Sequence, residues 1–219
     1  MCFSASASFG AGVVLSVIGV ASIKKVKQPS QFIFASIPLV FALQQITEGF
    51  LWLALTNPAY AFMQQATTYT FLFFAQVVWP IWVPLAMLLL EKDERRKKIQ
   101  KIFLATGILV STYLAYCLVT FTPIASNIGY HITYQQNYLK GFSRYGGLLY
   151  MLATVVSPLF SSVKKMWAIG TTILISYIIT DIFYENYITS VWCFFASIIS
   201  ISVFWVMYKI NAAKNTEQA

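Results

Sequence analysis

The sequence predicts an all-α, polytopic membrane protein with seven transmembrane helices. Hydrophobic residues fill 58% of its 219 positions and charged residues 10%. Soluble domains run at about 45–50% and about 25%, so an aqueous surface could not be covered with so few charges. Apolar stretches of membrane-spanning length fall at 5–23, 32–56, 67–90, 102–121, 145–163, 166–184 and 190–208. They leave no room for a soluble domain. We expect one membrane domain over 1–209 and a short cytoplasmic tail over 210–219.

The loops set the orientation. Lys24, Lys25 and Lys27 follow the first span, and Lys92, Arg95, Arg96, Lys97, Lys98 and Lys101 follow the third. Lys164 and Lys165 separate the fifth and sixth, and Lys209 and Lys214 close the chain. Only Lys140 and Arg144 fall on the other side, a split of 13 to 2. By the positive-inside rule the N-terminus lies outside and the C-terminus in the cytoplasm. The net charge of +8 is therefore a topology signal, with weak attraction to anionic lipid. The bilayer is the expected partner and nucleic acid is not. The first span lacks a preceding positive residue and reads as a retained helix rather than a cleaved leader.

The fifth and sixth spans are expected to turn at Lys164–Lys165, because one long helix would move the tail outside. The long outer loop, 122–144, carries Tyr130, His131, Tyr134 and Tyr138. It reads as an interfacial segment in preference to a lid over an outward-facing site. The loop at 91–101 reads as a helical extension into the cytoplasm with no chemistry of its own. In the third span, Trp79-Pro80-Ile81-Trp82-Val83-Pro84 is expected to kink and to free backbone carbonyls, which is tolerated where they are re-satisfied or line a cavity.

The chain opens Met1-Cys2-Phe3-Ser4-Ala5-Ser6-Ala7-Ser8-Phe9. This start resembles that of an uncharacterised, mostly bacterial family of seven-helix membrane proteins beginning Met-Cys-aromatic-Ser, with no established activity. The resemblance implies a fold, a bacterial inner-membrane location and no chemistry; it singles out Cys2. Ser4, Ser8, Gly12 and Ser16 recur every four residues and form a small-residue stripe for close helix packing. Cys2 stays open between an ordinary small apolar side chain and a chemical role, as a soft-metal ligand or a nucleophile with its own amine as base. Cys117 and Cys193 fall at a similar depth, so a Cys2–Cys193 disulfide is a further expectation.

Glu48 in the second span and Asp181 in the sixth lie within hydrocarbon, with Glu185 at the boundary. Carboxylates there cost roughly 2.5–3.5 kcal/mol each and tend to face the bundle interior with a functional role. Arg144 is the expected interfacial partner, most easily for Glu185. Gln44, Glu48 and Trp52 share one helical face, flanked by Gln45. Tyr177, Asp181 and Tyr184 share another, and Gln76 and Trp79 a third. Ile46-Thr47-Glu48-Gly49-Phe50 also echoes Ile179-Thr180-Asp181-Ile182-Phe183, which suggests a 3+1+3 parallel repeat with the acids as mates.

The expected function is a small-molecule transporter or receptor with an outward-facing polar and aromatic pocket. Glu48 and Asp181 bind a cation or proton in it, Trp52 and Trp79 wall it, and Gln44, Gln76, Tyr177 and Arg144 complete the binding set. The alternative is a membrane-embedded enzyme or metal-handling protein, with Cys2 catalytic and Cys2, Glu48 and Asp181 holding a transition metal. A scaffold subunit is the third reading. His131 is the sole histidine, which excludes bis-histidine haem and a multi-histidine zinc site. No lysine lies inside the last span for a retinal Schiff base, and no phosphate loop or nucleophile elbow is present.

Overall fold

The computed structural model describes the backbone of residues 4–139, 143–163, 165–184 and 187–217. Among the described residues, six helices are long and apolar enough to cross a membrane, namely α1 (Ala5–Ile23), α2 (Pro29–Thr56), α3 (Pro58–Leu90), α4 (Glu94–Thr120), α6 (Met166–Phe183) and α7 (Ile188–Ile210). A shorter apolar helix, α5 (Tyr145–Leu159), lies between them in sequence. A hairpin of β1 (Ile124–Ile128) and β2 (His131–Gln135) joins α4 to α5.

Ser4 caps α1, its Oγ accepting from the Ala7 amide at 3.2 Å. Helix α1 then packs on α2 through Ser8, Gly12, Leu15, Gly19 and Ser22. The approach is close: a Cβ on Gly19 would sit 2.7 Å from the Leu39 amide nitrogen. The small-residue stripe is thus corrected. A strict four-residue spacing drifts about 40° per step around a helix of 3.6 residues per turn, so the buried face leaves Ser16 and continues along Gly19 and Ser22.

The kink expected in the third span takes the form of a π-helix at Phe73–Val78, directly before Trp79 and Pro80. Proline has no N–H for the preceding turn and its ring crowds that carbonyl, so the helix widens. Two carbonyls from this stretch are satisfied from other helices. Tyr150 Oη donates to the Ala75 carbonyl at 2.6 Å, and Ser111 Oγ to that of Val77 at 2.8 Å. A second π-helix, Leu152–Val156 in α5, precedes Pro158 in the same manner. Pro84 similarly leaves the Pro80 carbonyl without a helical donor, and α4 approaches it at Gly107.

Helix α4 has 27 residues, about 40 Å at 1.5 Å per residue, longer than the roughly 30 Å hydrocarbon layer. Its basic first turns supply the excess. Asp93 caps it, accepting from the Arg96 amide at 2.9 Å, and the expected helical extension is found. Glu91, just before it, is not idle. It is 2% exposed and accepts from the amides of Lys92 (3.0 Å), Asp93 (3.1 Å) and Ser162 (2.8 Å) and from the Ser162 hydroxyl. This tie ends α5 at Leu159 rather than at 163, because 160–163 are drawn to Glu91. The chain turns between the helices as expected, with Lys165 in the left-handed region at φ 70° and its ammonium 4.1 Å from the Trp205 ring. Lys164 lies outside the described residues.

The loop at 122–144 contains the hairpin, closed at Gly129 (φ 65°) with Ile128 opposite His131. Ala125 and Ile132 are buried against Leu51 and Trp52 of α2. The hairpin therefore seats on one end of the bundle, opposite the end that carries Glu91 and the basic turns.

Candidate functional site

At the hairpin end, a cavity of about 290 Å³ lies among α3, α4, α5, α6 and α7. Tyr113, Tyr138, Tyr150, Tyr177 and Trp192 form its aromatic walls, and Gln76 and Thr189 supply polar atoms. No charged side chain lines it among the described residues. Gln76 Nε2 donates to Gln136 Oε1 at 2.7 Å and approaches Tyr138 Oη at 3.4 Å. The segment following the hairpin is thereby fastened over the cavity, so this loop does more than rest at an interface. A second, apolar cavity of about 70 Å³ lies deeper, against Phe41, Trp79, Met87 and Met166. Tyr150, Trp192 and Cys193 border both chambers, and the Tyr150 hydroxyl is held by the carbonyl that the π-helix releases.

Behind Cys193 lies a buried polar cluster. Glu48 is fully buried; Ser190 Oγ donates to its Oε1 at 2.6 Å, and Gln45 Nε2 lies 3.4 Å from its Oε2. Ser190 and Cys193 are three residues apart and so share a face of α7. Gln44, one turn before Glu48, accepts from Trp79 Nε1 at 2.7 Å. Its amide nitrogen has no hydrogen-bond partner among the described residues and lies near the Cys193 thiol. Replacing Trp79 with Phe keeps the stacking on Phe41 (centroids 3.8 Å apart) but strands the Gln44 carbonyl. The expected loss is about 1–3 kcal/mol, read as a lower unfolding midpoint in detergent. An unchanged midpoint would mean the bond contributes nothing.

The residues expected to form one pocket are divided by the fold. Glu48 and Gln44 lie in the buried cluster, Trp79 walls the deeper chamber, and Gln76 and Tyr177 line the outer one. Trp52 belongs to none of these. It is covered by the hairpin, with its Nε1 unpartnered.

Asp181 is corrected more strongly. Helix α6 ends at Phe183, so Asp181 stands about 3 Å from the helix end and is exposed. It acts on Tyr177 electrostatically and does not join Glu48. The five-residue echo places Thr180, not Asp181, inside, so the two acids occupy unlike surroundings. No three of His, Cys, Asp and Glu gather among the described residues, and Glu48 is buried where Asp181 is exposed. Cys2 and Glu185, the side chain of Arg144, and with them the expected Cys2–Cys193 pair lie outside the described residues. Cys117 and Cys193 are buried free thiols. His131 stacks on Tyr187 at 4.6 Å, and burial holds its pKa below the ordinary value.

Sequence reasoning passed over Ser190, Tyr150 and Trp192. Only the i, i+3 spacing of Ser190 and Cys193 gave any sign, and nothing in it pointed to Glu48.

These features define a helical membrane protein with an aromatic-walled cavity beneath a hairpin and a buried carboxylate behind its wall. The chain belongs to the Family of unknown function (DUF6629), whose model matches residues 1–218. Neither a curated protein nor a solved structure matches it.

Proposed function

We propose that the protein is a seven-pass membrane protein, with its N-terminus outside and in a bacterial inner membrane. In this reading it transports or senses a small uncharged solute through the cavity under the hairpin. The observation that carries the reading is the cavity itself: lined by five helices, aromatic-walled, free of lining charge among the described residues, and backed by Glu48 through Cys193. Binding sites are typically concave and mostly apolar with a few placed polar groups, which fits Gln76 and the tyrosine hydroxyls. An ionisable residue buried inside the bilayer is costly and tends to mark a functional site, and Glu48 is such a residue. The basic loops support the orientation.

Gly147 offers a test. It lines the cavity, and a Cβ there would meet nothing within 4 Å, so Gly147→Trp puts an indole at the wall without a clash at its base. A panel of neutral sugars, amides and aromatic alcohols is added to the detergent-purified protein and the unfolding midpoint is read. Some solutes should raise the midpoint of the native chain by a few degrees and leave the plugged variant unmoved. Shifts that persist in Gly147→Trp, or a native chain indifferent to the whole panel, would refute the reading.

A further inference from the structure

We propose that the two cavities form one site for an uncharged amphiphile, with a flat ring bearing a hydroxyl or carbonyl oxygen in the larger chamber and a short apolar chain in the deeper one. The proposal rests on the solute-binding reading and names the class of solute.

The lining changes character along single helix faces. On α6, Met166, Ile169 and Ile173 border the deeper chamber and Tyr177 the larger one. Their spacings of three and four residues keep them on one side of the helix. From Met166 to Tyr177 this stripe rises about 16 Å at 1.5 Å per residue. On α5, Thr154 and Pro158 continue from Tyr150 into the deeper chamber in the same way.

The polar groups of the two chambers are in opposite states. In the larger one, the hydroxyls of Tyr177 and Thr189 make no hydrogen bond among the described residues. Each can donate to or accept from a ligand oxygen, and the aromatic walls suit a flat ring. In the deeper one, the hydroxyls are already committed to backbone. Thr154 Oγ1 donates to the Tyr150 carbonyl at 2.8 Å, and Ser200 Oγ to that of Ser197 at 2.6 Å. What remains there is apolar surface, and apolar cavities stay dry. The deeper 70 Å³ hold about five water-sized groups, the bulk of a butyl to hexyl chain. No charged side chain lines either chamber among the described residues, so an ionic head would lack a counter-charge.

The chambers meet at Tyr150, Trp192 and Cys193. Tyr150 is fixed by its bond to the Ala75 carbonyl. Trp192 is not: its indole N–H is buried without a hydrogen-bond partner, and the ring rests edge-on against Tyr150 and Tyr177. The chain enters the deeper chamber by displacing this indole past the small Cys193 side chain.

The test is equilibrium dialysis of the detergent-purified full chain against phenol and the 4-alkylphenols from methyl to octyl, with protein-free detergent as the partition control. A fully buried methylene tightens binding about fourfold. Affinity for the native chain should therefore climb with chain length to about butyl or hexyl and then level off, leaving hexylphenol at least about tenfold tighter than phenol. Thr154→Met extends a flexible apolar side chain into the deeper chamber, and the ratio of the two constants should fall toward one. Ile173→Phe fills the same space from α6 and serves should Thr154→Met fail to fold. Native binding of hexylphenol no tighter than phenol would overturn the proposal and leave the deeper chamber to a lipid tail. An undiminished ratio in the filled variants would overturn it too, by placing the chain elsewhere. Phenol binding with no gain from the chain sinks this proposal alone, whereas no binding by the phenols or by the wider solute panel removes the solute-binding reading with it.

Discussion

Replacing Gly107 with alanine is expected to destabilise the protein by about 3 kcal/mol or more, or to prevent recovery of folded protein. The reason is a sequence of backbone consequences. Pro84 has no N–H to give the carbonyl four residues back, which is that of Pro80. That oxygen faces α4, and α4 comes so near that a Cβ on Gly107 would overlap the Pro80 oxygen, with the carbonyl carbon only 2.8 Å away. The obstacle is backbone, which cannot swing aside as a side chain can, so the helices must part. Parting them also disturbs the Ser111 bond to the Val77 carbonyl nearby. Denaturant unfolding in detergent, beside the yield of monodisperse protein, checks this. A native-like midpoint for Gly107→Ala would show that the two helices are not in close contact. Gly147→Ala is the fitting control, because a methyl there meets open space.

Removing Glu91 should have the next largest effect on stability. Burial works against its charge, but the Ser162 hydroxyl and amide and the amides of Asp93 and Lys92 outweigh burial and hold its pKa below the ordinary 4.5. Glu91→Ala leaves those donors unmet and loosens the turn between α5 and α6, at an expected cost of about 3 kcal/mol from bonds to a charged acceptor. The sign of the pH dependence follows from linkage. A carboxyl with a lowered folded pKa binds protons more readily when unfolded. Its stabilisation is complete above the unfolded value near 4.5 and is lost as pH falls through the lower folded value. Thermal midpoints measured from pH 7 downward should therefore fall below about pH 5, and less steeply in Glu91→Gln. Identical acid slopes for the two chains would assign the pH response to another group.

Glu91 also shows the limit of reading a loop by its charge pattern. Among basic neighbours it looks like one more solvated acid. Its partner, Ser162, lies 71 positions later, and no local pattern records such a pairing. Asp181 shows the converse. An acid inside an apolar run reads as intramembrane and inward-facing, yet two residues of helix end and one step of rotation put it at the surface. Glu48 and Asp181 look alike in sequence and differ in burial because 100° per residue decides which neighbour faces in.

Composition and patterning alone determined the membrane class, the apolar stretches that six long helices and a short one realise, the turn before α6, the helical extension at α4 and a distortion at the Trp-Pro run. These are local consequences of apolar length, charge placement and missing proline donors. Only the tertiary structure decided which freed carbonyl meets Tyr150 and which meets Ser111, that the loop after α4 becomes a hairpin over Trp52, and that Ser190 rather than Asp181 stands beside Glu48. Those outcomes depend on how helices far apart in sequence rotate and press together. The rotation is set by close backbone approaches at residues such as Gly107 and Gly19, summed over the whole bundle rather than written in any one segment.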